Sequence, residues 1–128
     1  MAQTPEGKVK KTIKDICKRH SVAYSQKTTM GYGNSGWPDF DIVLCGLYVA
    51  IEAKADARKD GPTALQRQCM LEIRQSGGIT LVVDKHNIVH LEQLVVNAVA
   101  GHFGCWNTLR NGVLRDAEEF GLLYVGAV

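Results

Sequence analysis

The chain has 128 residues, of which 45% are hydrophobic, and its formal net charge at pH 7 is +2. A chain of this size buries about two-thirds of its unfolded surface, so we expect residues 1–128 to form a single domain around one core. No apolar run approaches the roughly 20 residues that span a bilayer, and the first residues do not resemble a secretory signal, so we expect a cytoplasmic protein with no membrane segment.

A first helix is predicted from Thr4 onward. Thr4 can cap it, Pro5 suits the first helical position, and Glu6 lies near the positive end of the helix dipole. An apolar stripe at helical spacing follows, formed by Val9, Ile13, Ile16 and Cys17. Glu6 projects from this stripe toward the body of the protein, which is an unusual place for an acid unless the helix dipole alone favours it there.

The same segment is strongly basic. Residues 1–27 hold seven Lys or Arg against two acids, a net +5, so the rest of the chain carries −3 of the total of +2. Such a patch attracts a phosphate backbone without reading its sequence, although a solvated helix face has the same composition. We expect the cations that bind nucleic acid to be Lys8, Lys10, Lys11, Lys14 and Lys18.

A hairpin is predicted in the middle of the chain. Residues 21–26 indicate a short strand, and a polar, glycine-containing stretch over 27–36 precedes Pro38, which fixes where the next strand begins. If Cys45 and Gly46 form a two-residue turn, one face of the hairpin is wholly apolar. That face consists of Phe40, Ile42, Leu44, Leu47, Val49, Ile51 and Ala53.

The other face of this hairpin collects charge, because it carries Asp39, Asp41, Glu52 and Lys54. In the same register Asp39 faces Glu52, and like charges placed opposite each other are destabilising. A shared proton, a nearby cation such as Lys54 or a bound metal would relieve the repulsion, and hard ions such as Mg²⁺ or Mn²⁺ take carboxylate oxygens. The alternative is an ordinary solvated face of an amphipathic hairpin.

A helix and a buried strand follow the hairpin. Thr63 can cap the helix, Gly77 and Gly78 end it, and Ile79 to Val83 predict a central strand reached by a helical crossover. Gln66 lies in the first turn of this helix, where its amide can orient a water or contact a phosphate. It is otherwise a surface glutamine, or Gln68 takes the role.

The sequence pattern is less distinct toward the end of the chain. A further helix is predicted from about Leu91 to Ala100, and Trp106, Leu109, Val113 and Leu114 can pack on the core. Residues 121–128 form an apolar tail that is either a strand or a partner surface. The four cysteines lack a Cys-x-x-Cys pair, and His86 and His90 lack a third ligand, so neither a disulfide framework nor a zinc site is indicated.

The residues around the hairpin resemble a nuclease family. Pro38-Asp39, a short hairpin and Glu52-x-Lys54 are similar to the signature of the PD-(D/E)XK nuclease superfamily, and Gly36-Trp37-Pro38-Asp39-Phe40 with Ile51-Glu52-Ala53-Lys54 resembles its virus-type replication-repair branch, VRR-NUC. Glu6 before Val9 resembles the opening helix of that family, and Gln66 before Gly77-Gly78 resembles its later helix and turn. The resemblance covers about residues 4–95 and leaves 102–128 as a C-terminal extension.

The resemblance implies an α/β fold with a restriction-endonuclease-like core, in which a mixed central β-sheet is flanked by helices. It implies phosphodiester hydrolysis with one or two Mg²⁺ or Mn²⁺ ions held by Asp39, Glu52, the backbone carbonyl of Ala53 and Glu6. Lys54 would position the attacking water or stabilise the oxyanion, and Gln66 would orient the nucleophile or the Lys54 amine. Asp41 ranks below Asp39 as a supplementary ligand.

The resemblance also implies a substrate and a setting. Small proteins that resemble this family are associated with branched or junction DNA, and the setting is viral or phage replication and repair, hence the host cytoplasm. One 128-residue chain offers little surface for two duplex arms, so we expect a homodimer, for example a Holliday-junction resolvase, with 102–128 as a candidate interface. The competing interpretations are a non-catalytic module that binds nucleic acid through the basic helix, and a dimerising protein without nucleic acid.

Overall fold

The computed structural model describes residues 3–27, 36–101 and 105–124. In chain order its elements are α1 (Pro5–Arg19), β1 (Ala23–Gln26), β2 (Phe40–Leu44), β3 (Leu47–Ala53), α2 (Ala64–Gln75), β4 (Ile79–Val83), α3 (Ile88–Gly101) and α4 (Trp106–Glu119). Most of the polar stretch predicted over 27–36, and the last four residues of the apolar tail, lie outside the described residues.

The four strands form one mixed sheet in the order β1-β2-β3-β4. The first three strands are antiparallel neighbours, and β4 is parallel to β3 after the crossover through α2. The predicted α/β class, with an antiparallel hairpin and a strand reached by a helical crossover, is therefore confirmed.

The hairpin has the register predicted from the alternation of its residues. Leu44 pairs with Leu47 and Asp41 pairs with Ala50 across the turn. Cys45 and Gly46 have φ angles of 52° and 88°, and positive φ at both central residues defines the turn whose twist matches that of the flanking strands. All seven residues of the predicted apolar face are buried.

Two helical layers enclose the sheet. The apolar face of the hairpin, with Ile79, Leu81 and Val83 of β4, belongs to one core cluster to which α1, α3 and α4 also contribute. The opposite face of β4 meets α2, whose Arg74 donates a hydrogen bond to Thr80 Oγ1 at 3.1 Å. None of the helices in the described ranges is long and apolar enough to cross a bilayer.

Local sequence explains how the first two helices begin. Thr4 Oγ1 accepts a hydrogen bond from Gly7 N at 3.0 Å, and Thr63 Oγ1 accepts one from Gln66 N at 3.2 Å. Both caps agree with the prediction. The strand predicted over 21–26 begins two residues later, at Ala23.

The end of the chain departs from the prediction in two respects. Residues 106–119 form a helix, α4, that the sequence did not indicate, and its Leu109, Val113 and Ala117 lie in the core cluster. The strand β4 is buried on both faces as expected, but it is the last strand of the sheet and not a central one. Its outer edge is covered because Val82 N donates to Leu122 O at 2.8 Å.

Candidate metal centre

Two acids meet where β2 begins and β3 ends. The last pair of the β2 and β3 ladder is Phe40 with Ile51, so Asp39 and Glu52 are the next residues along the two strands. The Ala53 N–H donates a hydrogen bond to Asp39 Oδ2 at 2.9 Å, which fixes the carboxylate of Asp39 beside the end of β3. The two acids that the register predicted to face each other are thus neighbours.

Glu52 is the least solvated acid of the site. The residue is 2% exposed, and its Oε2 is enclosed without a hydrogen-bond partner among the described residues. Burial, together with a hydrogen bond and the charge from Asp39, raises the pKa of Glu52 to about 9, and the positive charge of Lys54 opposes this shift. Such a pKa keeps Glu52 protonated in the metal-free protein, and the hydrogen bond with Asp39 shares that proton between the two acids.

Lys54 lies just beyond β3 and is buried, with 8% of the residue exposed. Its backbone N–H donates to Val83 O at 2.9 Å, which holds this segment against β4. Within the described part of the chain its ammonium makes no ion pair, although its charge acts on Glu52. A buried lysine whose charge acts on Glu52 is available to a phosphate or to a water.

Glu6 reaches the centre through Lys10. The Lys10 ammonium lies 3.3 Å from Glu6 Oε2 and 3.5 Å from Asp39 Oδ1, so one cation joins α1 to the start of β2. Burial lowers the pKa of Lys10, but the charges and hydrogen bonds of Asp39 and Glu6 outweigh burial and raise it overall. Lys10, one of the cations predicted to bind nucleic acid, thus lies between two acids.

The backbone N–H and C=O of Ala53 both face Asp39. In a β-strand the N–H and C=O of one residue point toward the same neighbouring strand. Because the Ala53 N–H meets Asp39, its carbonyl also faces the Asp39 side. The donor set of two carboxylates and one carbonyl, with an enclosed oxygen on Glu52 that lacks a partner among the described residues, fits a hard divalent cation such as Mg²⁺ or Mn²⁺.

Gln66 has a structural task that sequence reasoning overlooked. Its Oε1 accepts a hydrogen bond from Thr63 N at 2.8 Å, which completes a capping box at the start of α2. The Thr63-x-x-Gln66 spacing is the sequence pattern of such a box and would have predicted it. Gln68, the alternative residue, is exposed and its amide points to Glu72 at 3.5 Å.

Asp41 is separated from the centre by its own partners. Its carboxylate accepts hydrogen bonds from Lys27, from Tyr48 and from Trp37 Nε1, the last at 3.3 Å. Burial raises the pKa of Asp41, but these three hydrogen bonds outweigh it and lower the pKa. Burial and the hydrogen bond to Asp41 raise the pKa of Tyr48 to about 12. Both oxygens of Asp41 are therefore engaged within the protein.

The remaining cations of α1 lie outside this cluster. Lys8, Lys11 and Lys18 are exposed, Lys14 is half-buried, and Lys11 pairs with Asp15 at 3.1 Å. Lys10 differs because its ammonium is drawn toward the acids at the edge of the sheet. Four of the five predicted contact residues thus remain available on the outside of the helix.

A second group of possible metal ligands joins Asp56, Asp84 and His86, whose ligand atoms lie within 4.8 Å of one another. The oxygens of Asp84 accept backbone N–H groups, from Ala57 at 2.8 Å and from His86 at 2.8 Å among others. Asp56 pairs with His86 at 3.2 Å and with Lys85 at 3.8 Å. These contacts engage the polar atoms of the group within the protein, and they join the turn after β3 to the end of β4.

Comparison of the chain with family models, with curated proteins and with solved structures gave no match. Any function must therefore follow from the chemistry of this site and from the motif residues that form it.

Proposed function

We propose that this protein is a Mg²⁺- or Mn²⁺-dependent endodeoxyribonuclease of the VRR-NUC type, which hydrolyses phosphodiester bonds in DNA. The observation that carries the proposal is the enclosed Glu52 Oε2, which has no partner among the described residues although Asp39 and the buried Lys54 lie beside it. A proton shared between Glu52 and Asp39 balances the pair in the metal-free protein, and a divalent cation in place of that proton would bind both carboxylates.

The ligands come from both strands of the hairpin and from α1. Asp39, Glu52 and the Ala53 carbonyl would hold the ion, and Glu6 would act from the edge of the site through Lys10. An ion held there would lower the pKa of a bound water and would offset charge on the scissile phosphate.

Two further residues act on the reacting groups in this proposal. The Lys54 ammonium donates hydrogen bonds to the attacking oxygen or to a non-bridging phosphate oxygen. Gln66 holds the start of α2 through its Oε1 and presents the NH₂ of its amide to the nucleophile or to the phosphate.

The substrate is a phosphate backbone bound by the four cations of α1 that lie outside the metal centre, three exposed and one half-buried. Lys8, Lys11, Lys14 and Lys18 lie on the helix that also supplies Glu6 and Lys10, so a strand bound along α1 passes the metal centre. We propose branched or junction DNA as the preferred substrate and a homodimer as the acting form, since two copies place one centre on each strand.

Incubation of the purified protein with labelled DNA tests the activity. Duplex, single-stranded, flap, fork and four-way-junction substrates are each combined with Mg²⁺, Mn²⁺ or EDTA. Cleavage that needs the metal and is lost in Glu52→Gln supports the proposal. The matched control is Glu119→Gln, which changes an exposed acid in α4 and should cleave like the natural protein.

Binding separates the nuclease from a non-catalytic module. A nuclease with Glu52→Gln should keep its affinity for DNA while it loses cleavage. No metal-dependent cleavage of any substrate, together with firm DNA binding, would mean that the acids are structural and that α1 alone acts. Symmetric cuts in the four-way junction support a resolvase, and cuts confined to flaps or single strands indicate a simpler structure-selective enzyme.

A further inference from the structure

A cavity of about 520 Å³ lies on the face of the hairpin that does not pack on the main core, and its lining extends from the hairpin turn at Gly46 to Trp37. Its walls come from three parts of the chain: the hairpin with Trp37 and Tyr48, the end of α2 with Glu72 and Ser76, and Trp106 at the start of α4. The metal centre uses none of these residues as a ligand, so the cavity is a separate feature.

Its aromatic lining is unusually open to solvent. Trp106 is 53% exposed and Tyr48 is 37% exposed, although large aromatic side chains are usually well buried. Three aromatic rings around one opening provide flat apolar surfaces with polar edges. Nucleobases stack on such surfaces, and the contact tolerates any base because every base has a π face.

Along β2, Asp41 lies between Asp39 of the metal centre and the turn at which the cavity ends. Trp37 Nε1 and the Tyr48 hydroxyl both donate hydrogen bonds to Asp41, which holds two of the three rings in place. Asp41 lies two residues after Asp39, a separation of about 7 Å along a strand. A strand bound at the metal centre would therefore pass Asp41 on its way to the cavity.

Polar groups around the opening suit a nucleotide. Lys27 pairs with Asp41, which also binds Trp37 and Tyr48, and the Arg110 guanidinium lies 6.0 Å from the Trp106 ring, so a cation lies near the anchor of each part of the aromatic lining. The Glu72 carboxylate on the wall can accept hydrogen bonds from exocyclic amino groups of a base. An aromatic floor with flanking cations is the arrangement that binds single-stranded nucleic acid.

We propose that this cavity receives an unpaired nucleobase of the strand that is cut, and that this is how the enzyme selects DNA with unpaired positions over continuous duplex. The proposal rests on the nuclease function in one respect only, which is that the strand also passes the metal centre. Base capture itself needs neither a metal nor cleavage.

Tryptophan fluorescence tests base capture directly, because Trp37 and Trp106 are the two tryptophans of the chain and both line the cavity. The natural protein is titrated in EDTA with a short oligothymidylate, with an oligomer of the same length made of abasic sites, and with a blunt duplex. We expect saturable quenching by the oligothymidylate alone. Equal quenching by the abasic oligomer would overturn the proposal, since only phosphates would then be recognised.

Substitution of the exposed ring gives the second readout. Trp106→Ala should weaken binding of a labelled oligothymidylate by roughly tenfold, and Trp106→Phe should restore most of the affinity. The control Val89→Ala removes another exposed apolar side chain, on α3, and should change nothing. Unchanged affinity in Trp106→Ala would reject base capture. Tryptophan emission that shifts with protein concentration in the absence of DNA would also reject it, and would indicate that the cavity is covered by self-association.

The two proposals fail in different ways. If the protein never cleaves DNA but shows base-dependent quenching, the nuclease function falls and the base site stands. If Glu52→Gln abolishes cleavage while Trp106→Ala binds unpaired and duplex DNA as the natural protein does, the nuclease stands and the base site falls.

Discussion

At the scale of single residues, the main fact is that Glu52 is kept in an environment that opposes its charge. Burial and the neighbouring Asp39 raise its pKa to about 9, whereas an unperturbed glutamate has a pKa of 4.5. Between these values the folded protein holds more protons than the unfolded chain. The contribution of Glu52 to stability is therefore greatest below about pH 4.5 and is lost as pH rises toward 9.

Replacement of Glu52 by Gln should stabilise the metal-free protein at pH 8, because the fold keeps Glu52 protonated at a pH where the unfolded chain ionises it, a cost that a neutral amide does not carry. We expect a gain of about 1 to 3 kcal/mol in the free energy of unfolding, shrinking toward pH 5. Urea denaturation in EDTA at the two pH values measures it. Mg²⁺ should raise the stability of the natural protein and leave that of Glu52→Gln unchanged. A variant less stable than the natural protein at pH 8 would contradict this expectation.

The positive charge of Lys10 is balanced by its ion pairs with Asp39 and Glu6. Its ammonium repels an incoming divalent ion, so Lys10→Met should bind Mn²⁺ several-fold more tightly. Titration calorimetry measures the affinity. The control is Lys11→Met, which removes a neighbouring lysine paired with Asp15 on the outside of α1 and should leave the affinity unchanged. Weaker binding in Lys10→Met would instead mean that Lys10 organises the ligands.

At the scale of elements, the first turn of α2 combines a cap with a predicted catalytic residue. Gln66 accepts a hydrogen bond from Thr63 N, and a glutamate at this position can do the same. The two possible roles of Gln66 are therefore separable by choice of substitution.

Gln66→Glu should keep the unfolding free energy of the natural protein within about 0.5 kcal/mol, while Gln66→Ala should lose about 1 kcal/mol. We expect both variants to cleave DNA more slowly, because one brings a negative charge toward the phosphate and the other lacks the amide. Thermal denaturation and single-turnover cleavage measure the two effects. Full activity in Gln66→Glu would assign Gln66 to capping alone.

At the scale of the whole molecule, the positive charge is concentrated on one helix, while the rest of the chain is net negative. Replacement of Lys8 and Lys18 by Gln should weaken DNA binding and reduce the slope of log affinity against log salt by about 0.9 for each phosphate that is no longer neutralised. Fluorescence anisotropy at several salt concentrations gives the slope. The control double variant, Lys85→Gln with Arg115→Gln, changes the net charge by the same amount at sites outside α1. If it reduces the slope as much as the α1 variant does, the DNA contacts are not localised to α1.

The C-terminal extension, predicted as a candidate dimer interface, also contributes to the core of the domain. Leu109, Val113, Ala117 and Leu122 belong to the core cluster, so removal of residues 102–128 would expose the core as well as any interface. Oligomeric state is therefore tested on the full chain. Light scattering should give twice the monomer mass of 14.0 kDa, and a mass of 14.0 kDa at micromolar concentration would contradict the homodimer.

Much of the fold was predictable because its causes are local. Alternation of apolar residues set the register around the two-residue turn, and Thr4 and Thr63 marked the starts of two helices by their capping chemistry. The helix α4 was not predicted because its start lacks a capping signal: Cys105 occupies the N-cap position, and its side chain contacts Thr108 Oγ1 and makes no capping hydrogen bond to the backbone. The edge position of β4 was not predicted because burial alone does not distinguish a central strand from one covered by Leu122.

The sequence by itself determined that Asp39 and Glu52 adjoin, since strand register follows from side-chain alternation and from a two-residue turn. Only the tertiary structure decided the environments of the charged residues. Packing of the helices on the sheet buries Glu52, the docking of α1 brings Lys10 to Asp39, and two aromatic side chains engage Asp41 away from the centre. Burial and charge contacts arise between segments far apart in the chain, and these long-range contacts govern whether an acid is ionised, paired or open to a metal.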